Sequence, residues 1–140
     1  MKNINLLLFF LLFTSTGFSQ IQVAEEGYKY FEMPYGDTTI TMREYYLCFL
    51  NEGPNRGHDE LEAAKIQEQH LAYLAEMYQN GYTCITGPFG DEGKSRGIVI
   101  YAVATKEKAS QLANQDPAVQ AGRLVVEIRP WWSMVGSTLK

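Results

Sequence analysis

The stretch GIVIYAVA (residues 97–104) decides the fold, because every one of its eight positions is apolar or small. Neighbouring side chains of a β-strand point to opposite faces, so a strand of this composition is apolar on both faces. The earlier stretch EYYLCFLN (residues 44–51) has the same property. Strands of this kind lie inside a sheet that is covered on both sides.

The segments after GIVIYAVA predict a helix, a helical turn and a strand. Thr105 is a suitable N-cap for a helix that continues to about Asn114. The pair Asp116-Pro117 predicts the cap and first residue of a short helical turn, which Gly122 ends. The stretch RLVVEIRPWW (residues 123–132) then reads as the last strand.

The segments before GIVIYAVA predict a strand, a helix and a strand. The strand EYYLCFLN ends in the turn-forming residues EGPNRG. Asp59 and Glu62 resemble a capping box that begins a helix, and Asn80-Gly81 is a typical helix end. The stretch YTCIT (residues 82–86) follows as a second strand.

The predicted order is therefore strand, helix, strand, strand, helix, strand, which is the βαββαβ pattern of ferredoxin-like α+β folds. In that topology two helices cover one face of an antiparallel sheet, and the other face remains open. Because both faces are apolar here, we expect a second copy to cover the open face, which gives a two-fold homodimer of the dimeric α+β barrel type. The alternative is that the N-terminal extension folds across that face.

The N-terminus predicts export from the cytoplasm. Residues 1–19 combine a basic start at Lys2, an apolar run from Leu6 to Phe13 and small residues at the end, which is the pattern of a signal peptide. Residues 20–43 form an N-terminal extension with a Pro-Tyr-Gly-Asp turn between two short β-favouring pieces, and residues 44–140 form the domain. We therefore expect a periplasmic or secreted protein with no membrane attachment after cleavage.

Charge and cysteine content narrow the class of protein further. The formal net charge is −4, and it becomes −5 without Lys2; the basic residues are scattered, so a nucleic-acid surface is not indicated. The two cysteines, Cys48 and Cys84, lie in strands that a ferredoxin-like order separates by two strand spacings, about 10 Å. That separation exceeds the reach of a disulfide, so we predict two buried free thiols.

A histidine within the apolar face of the first helix is the leading candidate for chemistry. At 100° per residue His70 falls on the arc that includes Ile66, Leu74 and Met77. A histidine in this position is either a packed neutral ring or an acid/base group, and a carboxylate partner favours the second role. Asp116 is the candidate partner, although its position before Pro117 also suits a helix N-cap; the two roles are compatible.

Several motifs of the domain together resemble the YCII-related family, small proteins of the dimeric α+β barrel class. The motifs are GPNR, HLAYL, GPFGDEG, RGIVIY, DPAVQAGRL and RPWW. The resemblance implies a ferredoxin-like fold, a dimer joined through its sheets and a His-Asp dyad, which falls here on His70 and Asp116 as catalytic residues. In one branch of the family the activity is dehydrochlorination of a chlorinated, hydroxylated aromatic compound. The signal peptide and the long extension depart from the family pattern.

Other residues of these motifs are candidate substrate contacts. The guanidinium groups suit carboxylates or phenolates, a Gly-Pro pair at a strand end permits close approach of a ligand, and one of the two adjacent tryptophans can line a pocket. Ordinary surface, turn and core roles remain open for each. The candidates are Arg56, Gly87, Pro88, Arg96, Arg123 and Trp131.

Two functional hypotheses follow. The first is an exported small-molecule enzyme, a lyase or isomerase, with His70 as general acid/base and Asp116 orienting it. The second is a non-catalytic module of the same fold that binds a small ligand or a protein. His58 and His70 are the only histidines and show no zinc spacing, and no phosphate loop or dinucleotide motif occurs, so no metal and no cofactor are indicated.

Overall fold

A computed structural model of the protein describes residues 19–140. The predicted signal peptide falls almost entirely on residues 1–18 and so lies outside the described residues. The elements in chain order are β1 (Gln22–Val23), β2 (Lys29–Tyr35), β3 (Thr38–Glu52), α1 (Glu60–Gln79), β4 (Thr83–Pro88), β5 (Ser95–Tyr101), α2 (Lys106–Asn114), α3 (Pro117–Gln120) and β6 (Leu124–Met134).

The sheet has the predicted ferredoxin-like arrangement. Strand β3 is central. On one side, the whole length of β6 pairs antiparallel with β3; on the other side, β5 pairs with the C-terminal half of β3. Strand β4 pairs with the outer edge of β5. The order β6-β3-β5-β4, with α1 and α2 as the crossovers, confirms the predicted βαββαβ fold.

The helices cover one face of this sheet. The side chains of β3 that face them are buried, and the largest fully buried side chains of the core are Tyr101, Val99 and Cys48. On the other side, which we call the open face, β3 presents Tyr45, Leu47 and Phe49, and these side chains are half-buried. The apolar residues therefore alternate as predicted, and no helix within residues 19–140 covers the open face.

The N-terminal extension lengthens the sheet instead of folding across it. β2 pairs with the first part of β3, from Tyr30 opposite Arg43 to Tyr35 opposite Thr38, around a turn at Gly36. The first strand of the domain thus begins at Thr38, six residues before the predicted Glu44, because the β-favouring piece TTIT continues it directly. The expected alternative, an extension that covers the open face, is not what the described residues show.

The cysteines are free, as predicted, but only one of them is buried. Cys48 faces the helices and is inaccessible to solvent, whereas Cys84 is exposed. The pairing of β4 with β5 shifts by one residue between Thr83 and Ile85, so Cys84 is the extra residue of a β-bulge. The prediction that Cys84 is buried was wrong because strand periodicity does not anticipate a bulge.

None of the helices in residues 19–140 is both long enough and apolar enough to cross a membrane.

Candidate functional site

Helix α1 places His70 against the sheet. The helix begins after Asp59, whose side chain accepts a hydrogen bond from the Glu62 backbone N–H at 2.8 Å, as the capping-box pattern predicts. Its buried residues are Ile66, His70 and Met77, which recur at helical spacing and so face the core together. His70 is only 7% exposed.

Asp116 reaches His70 from a different element. Its Oδ1 accepts a hydrogen bond from the Ala118 backbone N–H at 2.8 Å, which makes it the N-cap of α3. Its Oδ2 lies 2.7 Å from Nδ1 of His70. The carboxyl group is 2% exposed, so both of its oxygens are held within the protein. Asp116 therefore serves as helix cap and histidine partner at once.

The His70 ring also lines a cavity of about 400 Å³ between α1 and the C-terminal end of β3. Both nitrogens of a histidine ring can form hydrogen bonds. Among residues 19–140, only Nδ1 of His70 has a protein partner. A ring that is tied at Nδ1 and borders a cavity can offer Nε2 to a ligand. The lining residues are Leu50, Arg56, Gln67, His70, Leu71, Leu74, Thr86, Gly87, Pro88, Arg96, Gly97, Ile98, Ala118, Arg123 and Leu124.

Two arginines reach the cavity through a contact between two loops, which we call the loop contact and which joins residues 53–56 to residues 121–123. The Gly53 N–H donates to the Arg123 carbonyl at 2.8 Å, and the Asn55 N–H donates to the Gly122 carbonyl at 3.0 Å. The Asn55 side chain donates to the Ala121 carbonyl at 3.0 Å. These bonds fix the segment that carries Arg56 beside the segment that carries Arg123.

The close approach in the loop contact requires glycine at position 53. A Cβ atom there would lie 2.2 Å from the Gly122 carbonyl oxygen and 2.7 Å from the Arg123 carbonyl carbon. Both are backbone atoms, so they cannot move aside as a flexible side chain would. Gly97, in the cavity wall, is similar, since its Cβ would lie 2.6 Å from the Gly87 carbonyl oxygen.

Burial raises the pKa of other ionisable side chains near His70 and Asp116. Burial, together with a smaller effect of the Asp116 carboxylate, raises the pKa of the Cys48 thiol to about 12. Burial also raises the pKa of Tyr73 and of Tyr101, again with a contribution from Asp116. All three groups therefore stay protonated at neutral pH.

The structure brings together most of the predicted site residues. His70, Arg56, Gly87, Pro88, Arg96 and Arg123 all line the one cavity, with Asp116 behind His70. Trp131 does not line it: this residue lies on the open face, where its ring packs 6.2 Å from that of Tyr45. Trp132, on the helix side, packs 5.1 Å from Phe31. The assignment of Trp131 to the pocket is corrected accordingly, because the alternation of β6 turns it away from α1.

Sequence reasoning missed three kinds of contributor to the site. Gln67 and Leu71 line the cavity from α1. Gln67 lies one turn before His70, and this i, i+3 spacing could have indicated that the two side chains are neighbours. Leu71 directly follows His70. Asn55 holds the loop contact through a bond 66 residues away in sequence. His58 accepts a hydrogen bond at Nδ1 from Arg123 Nη1 at 3.5 Å. No local pattern indicates the last two.

The fold and site define a small α+β protein with a buried His-Asp pair at one cavity. A family model described as the YCII-related domain matches residues 45–132. The chain belongs to the YCII-related domain family, which confirms the resemblance found in its motifs.

Two further comparisons describe what the chain is similar to. Among solved structures, one match is a 5-chloro-2-hydroxyhydroquinone dehydrochlorinase from Burkholderia phenoliruptrix AC1100, in complex with 2,5-dihydroxybenzoquinone. The match has 18% sequence identity and a TM-score of 0.48, and it covers 62% of this chain and 92% of the other. No curated protein matches the chain significantly.

Proposed function

We propose that the protein is an exported small-molecule enzyme that carries out lyase- or isomerase-type acid-base chemistry with the dyad His70 and Asp116. The observation that carries the proposal is the 2.7 Å contact between buried His70 Nδ1 and Asp116 Oδ2, on a ring that lines a cavity. Export rests on the signal-peptide pattern of residues 1–19.

In the proposed mechanism, each nitrogen of the His70 ring has its own role. An ionised carboxylate only accepts hydrogen bonds, so Asp116 selects the tautomer in which Nδ1 carries the proton and donates. Nε2 then has a free lone pair and acts as the base toward a C–H or O–H group of a substrate. As the ring becomes positively charged, the Asp116 carboxylate stabilises it. General acid-base groups of this kind accelerate reactions by roughly 10²- to 10⁴-fold.

The arginines supply the second part of the proposed site. A guanidinium group pairs with a carboxylate or phenolate through parallel N–H donors, which orients the substrate relative to His70. Gly87 and Pro88 form part of the wall, where the glycine leaves room for a ligand close to the backbone.

We further propose that the protein is a homodimer joined through its open sheet faces. Apolar side chains on this face remain accessible in the single chain, including Trp131 at 38% and Val125 at 44% exposure. Large apolar side chains that remain accessible on a sheet face are typical of an interface between subunits. Sedimentation of the protein with and without Trp131→Glu tests the assembly, since a charge there should shift it to monomer.

A second candidate function is a ligand-binding module without catalysis. It is favoured by the dual role of Asp116, whose bond to Ala118 N–H is already sufficient reason for an aspartate before Pro117. In that case His70 is a packed partner of a structural carboxylate and the cavity only binds.

The two candidates are separated by turnover assays on His70→Gln and Asp116→Asn, with Glu44→Gln as control. A first probe is chlorohydroquinone with chloride release as the readout, and a second is solvent deuterium exchange into carbon acids. Asparagine still caps a helix, so Asp116→Asn changes the histidine partner with little effect on the fold. We expect a loss of roughly 10²-fold or more in the dyad variants and wild-type rates in the control. Wild-type rates in His70→Gln would exclude the dyad mechanism.

A further inference from the structure

The cavity is lined by three arginines and, among the described residues, by no aspartate or glutamate. Arg56, Arg96 and Arg123 line one cavity together with His70. The chain as a whole is acidic, with a formal net charge of −4. A local excess of positive charge within an acidic protein creates a field that attracts anions into the cavity.

Weak contacts with largely neutral groups leave these arginines available. Arg96 Nη1 donates to the Gly93 carbonyl at 3.3 Å, and Arg123 Nη1 donates to the His58 ring at 3.5 Å. Arg56 Nη1 donates to the Arg123 carbonyl at 3.3 Å. The nearest carboxylate, Glu52, lies 4.0 Å from Arg56 Nε, and both side chains are more than two-fifths exposed. Because each guanidinium has five N–H donors, most of them remain for a ligand.

The arginines lie on two sides of the cavity. In β3, Leu50 pairs with Gly97 of β5 on one side and with Val126 of β6 on the other. The backbones of β5 and β6 are therefore two strand spacings apart, about 10 Å. Arg96 belongs to β5, whereas Arg123 directly precedes β6 and is joined to Arg56 by the loop contact. Leu50 and the α1 residues Leu71 and Leu74 make the middle of the cavity apolar.

We propose that the ligand of this cavity is a small organic dianion with an apolar ring between two separated anionic groups, one bound by Arg96 and the other by Arg56 and Arg123. An aromatic dicarboxylate, or a ring with one carboxylate and one phenolate, has this chemistry. The inference rests on the proposed function in that it concerns the same cavity, and it places the middle of the ligand beside His70.

Calorimetric titration at constant ionic strength tests the inference with three probes. Benzene-1,4-dicarboxylate has two separated charges, benzoate has one, and inorganic phosphate concentrates its charge on one centre. We expect the dicarboxylate to bind at least tenfold more tightly than either of the others. Equal affinities of dicarboxylate and benzoate, stronger binding of phosphate than of dicarboxylate, or no binding of any probe would overturn the inference.

Arginine variants test which side of the cavity binds each anionic group of the ligand. Arg96→Gln and Arg123→Gln should each reduce the affinity for the dicarboxylate about tenfold. In each variant the dicarboxylate should then bind no more tightly than benzoate does. Benzoate itself should lose affinity in only one of the two variants. Arg129→Gln is the matched control, because Arg129 lies outside the cavity and pairs with Glu127. Thermal midpoints establish that the variants are folded. If the preference for dicarboxylate persists in both cavity variants, the inference is wrong.

The result is independent of catalysis. His70→Gln should retain the preference for the dicarboxylate, since the arginines provide it. A dicarboxylate preference without turnover of any probe would leave the inference standing and exclude the proposed enzyme. Turnover that depends on His70, without a dicarboxylate preference, would support the proposed enzyme and exclude the inference about the ligand.

Discussion

Two buried carboxylates, Asp116 and Glu44, have different surroundings, and only Asp116 has a partner that lines a cavity. Asp116 bonds to His70, whose side chain is 9% exposed, and that ring lines the cavity. Glu44 pairs with Lys29 at 3.3 Å and accepts a hydrogen bond from Tyr46 at 3.2 Å, but the Lys29 side chain is 52% exposed. A buried carboxylate with a cationic or basic partner therefore does not by itself indicate a site; a histidine partner that lines a cavity makes the difference.

Two glycines, one in the loop contact and one in the hairpin turn between β2 and β3, give the largest expected contrast. Gly53→Ala places a methyl group against the Gly122 and Arg123 backbone near the cavity, whereas Gly36→Ala in the hairpin turn meets no atom within 4 Å. We expect Gly53→Ala to lower the free energy of unfolding by about 3 kcal/mol. Gly36 has a φ of +58°, so alanine there should cost only about 1 kcal/mol. Urea unfolding followed by circular dichroism measures both, and equal losses would contradict the close approach at Gly53.

The two carboxylates should also differ when each is removed. Asp116→Ala deletes the α3 cap and leaves the His70 ring without its partner, so we expect a loss of about 2 kcal/mol. In Glu44→Ala, Lys29 can turn to solvent, and the Tyr46 hydroxyl still has the Ala104 carbonyl at 3.3 Å. That change should cost about 1 kcal/mol. The same unfolding assay applies, and a larger loss for Glu44→Ala would reverse the comparison.

The effect of salt on stability should further distinguish the Lys29–Glu44 pair from the His70–Asp116 pair. Lys29→Ala removes a half-exposed charge that joins the extension to the domain, so it should lower the free energy of unfolding by about 0.5 kcal/mol at low ionic strength. The effect should shrink in 1 M NaCl, because exposed charges are screened. Lys65→Ala, on the exposed side of α1, is the control for general loss of a positive charge. A loss that does not change with salt would mean that Lys29 acts through packing of its carbon chain.

The parts that the sequence predicted correctly are those governed by local chemistry. The caps at Asp59, Thr105 and Asp116 were all recognisable, because a short polar side chain before a helical segment satisfies free N–H groups of the first turn. Strand order followed from the sequence of elements. The residues at the cavity could be proposed because they occur in recognisable motifs.

The parts that were missed depend on contacts between distant segments. The bulge that exposes Cys84 arises from the pairing of β4 with β5, and nothing in YTCIT marks it. The direction of Trp131 depends on which face of β6 meets the helices. Asn55 and His58 support the cavity through bonds 66 and 65 residues away. Hydrogen bonds of this range leave no periodic signal in a single sequence.

The last expected effect appears only at alkaline pH and concerns Cys48, a core thiol whose pKa the Asp116 carboxylate also influences. Burial raises the pKa of this thiol from an ordinary value near 9 to about 12, so the folded protein holds the proton more tightly than the unfolded chain. The free energy of unfolding should therefore be unaffected by this group below pH 9 and should fall as pH rises from 9 towards 12, by up to about 1.4 kcal/mol per pH unit. Cys48→Ala removes the titrating group, so its stability, although lower throughout, should decline less steeply between pH 8 and pH 10.5.

Cys84→Ala is the control for that measurement, because Cys84 lies in the exposed bulge and not among the core side chains. Burial raises its pKa as well, while backbone hydrogen bonds and the charge of Arg43 lower it. The slope of stability against pH in Cys84→Ala should thus stay close to that of the wild type. If Cys48→Ala and the wild type declined in parallel, the alkaline sensitivity would belong to the buried tyrosines, and of these Tyr101 is the first to replace with phenylalanine, since burial raises its pKa too.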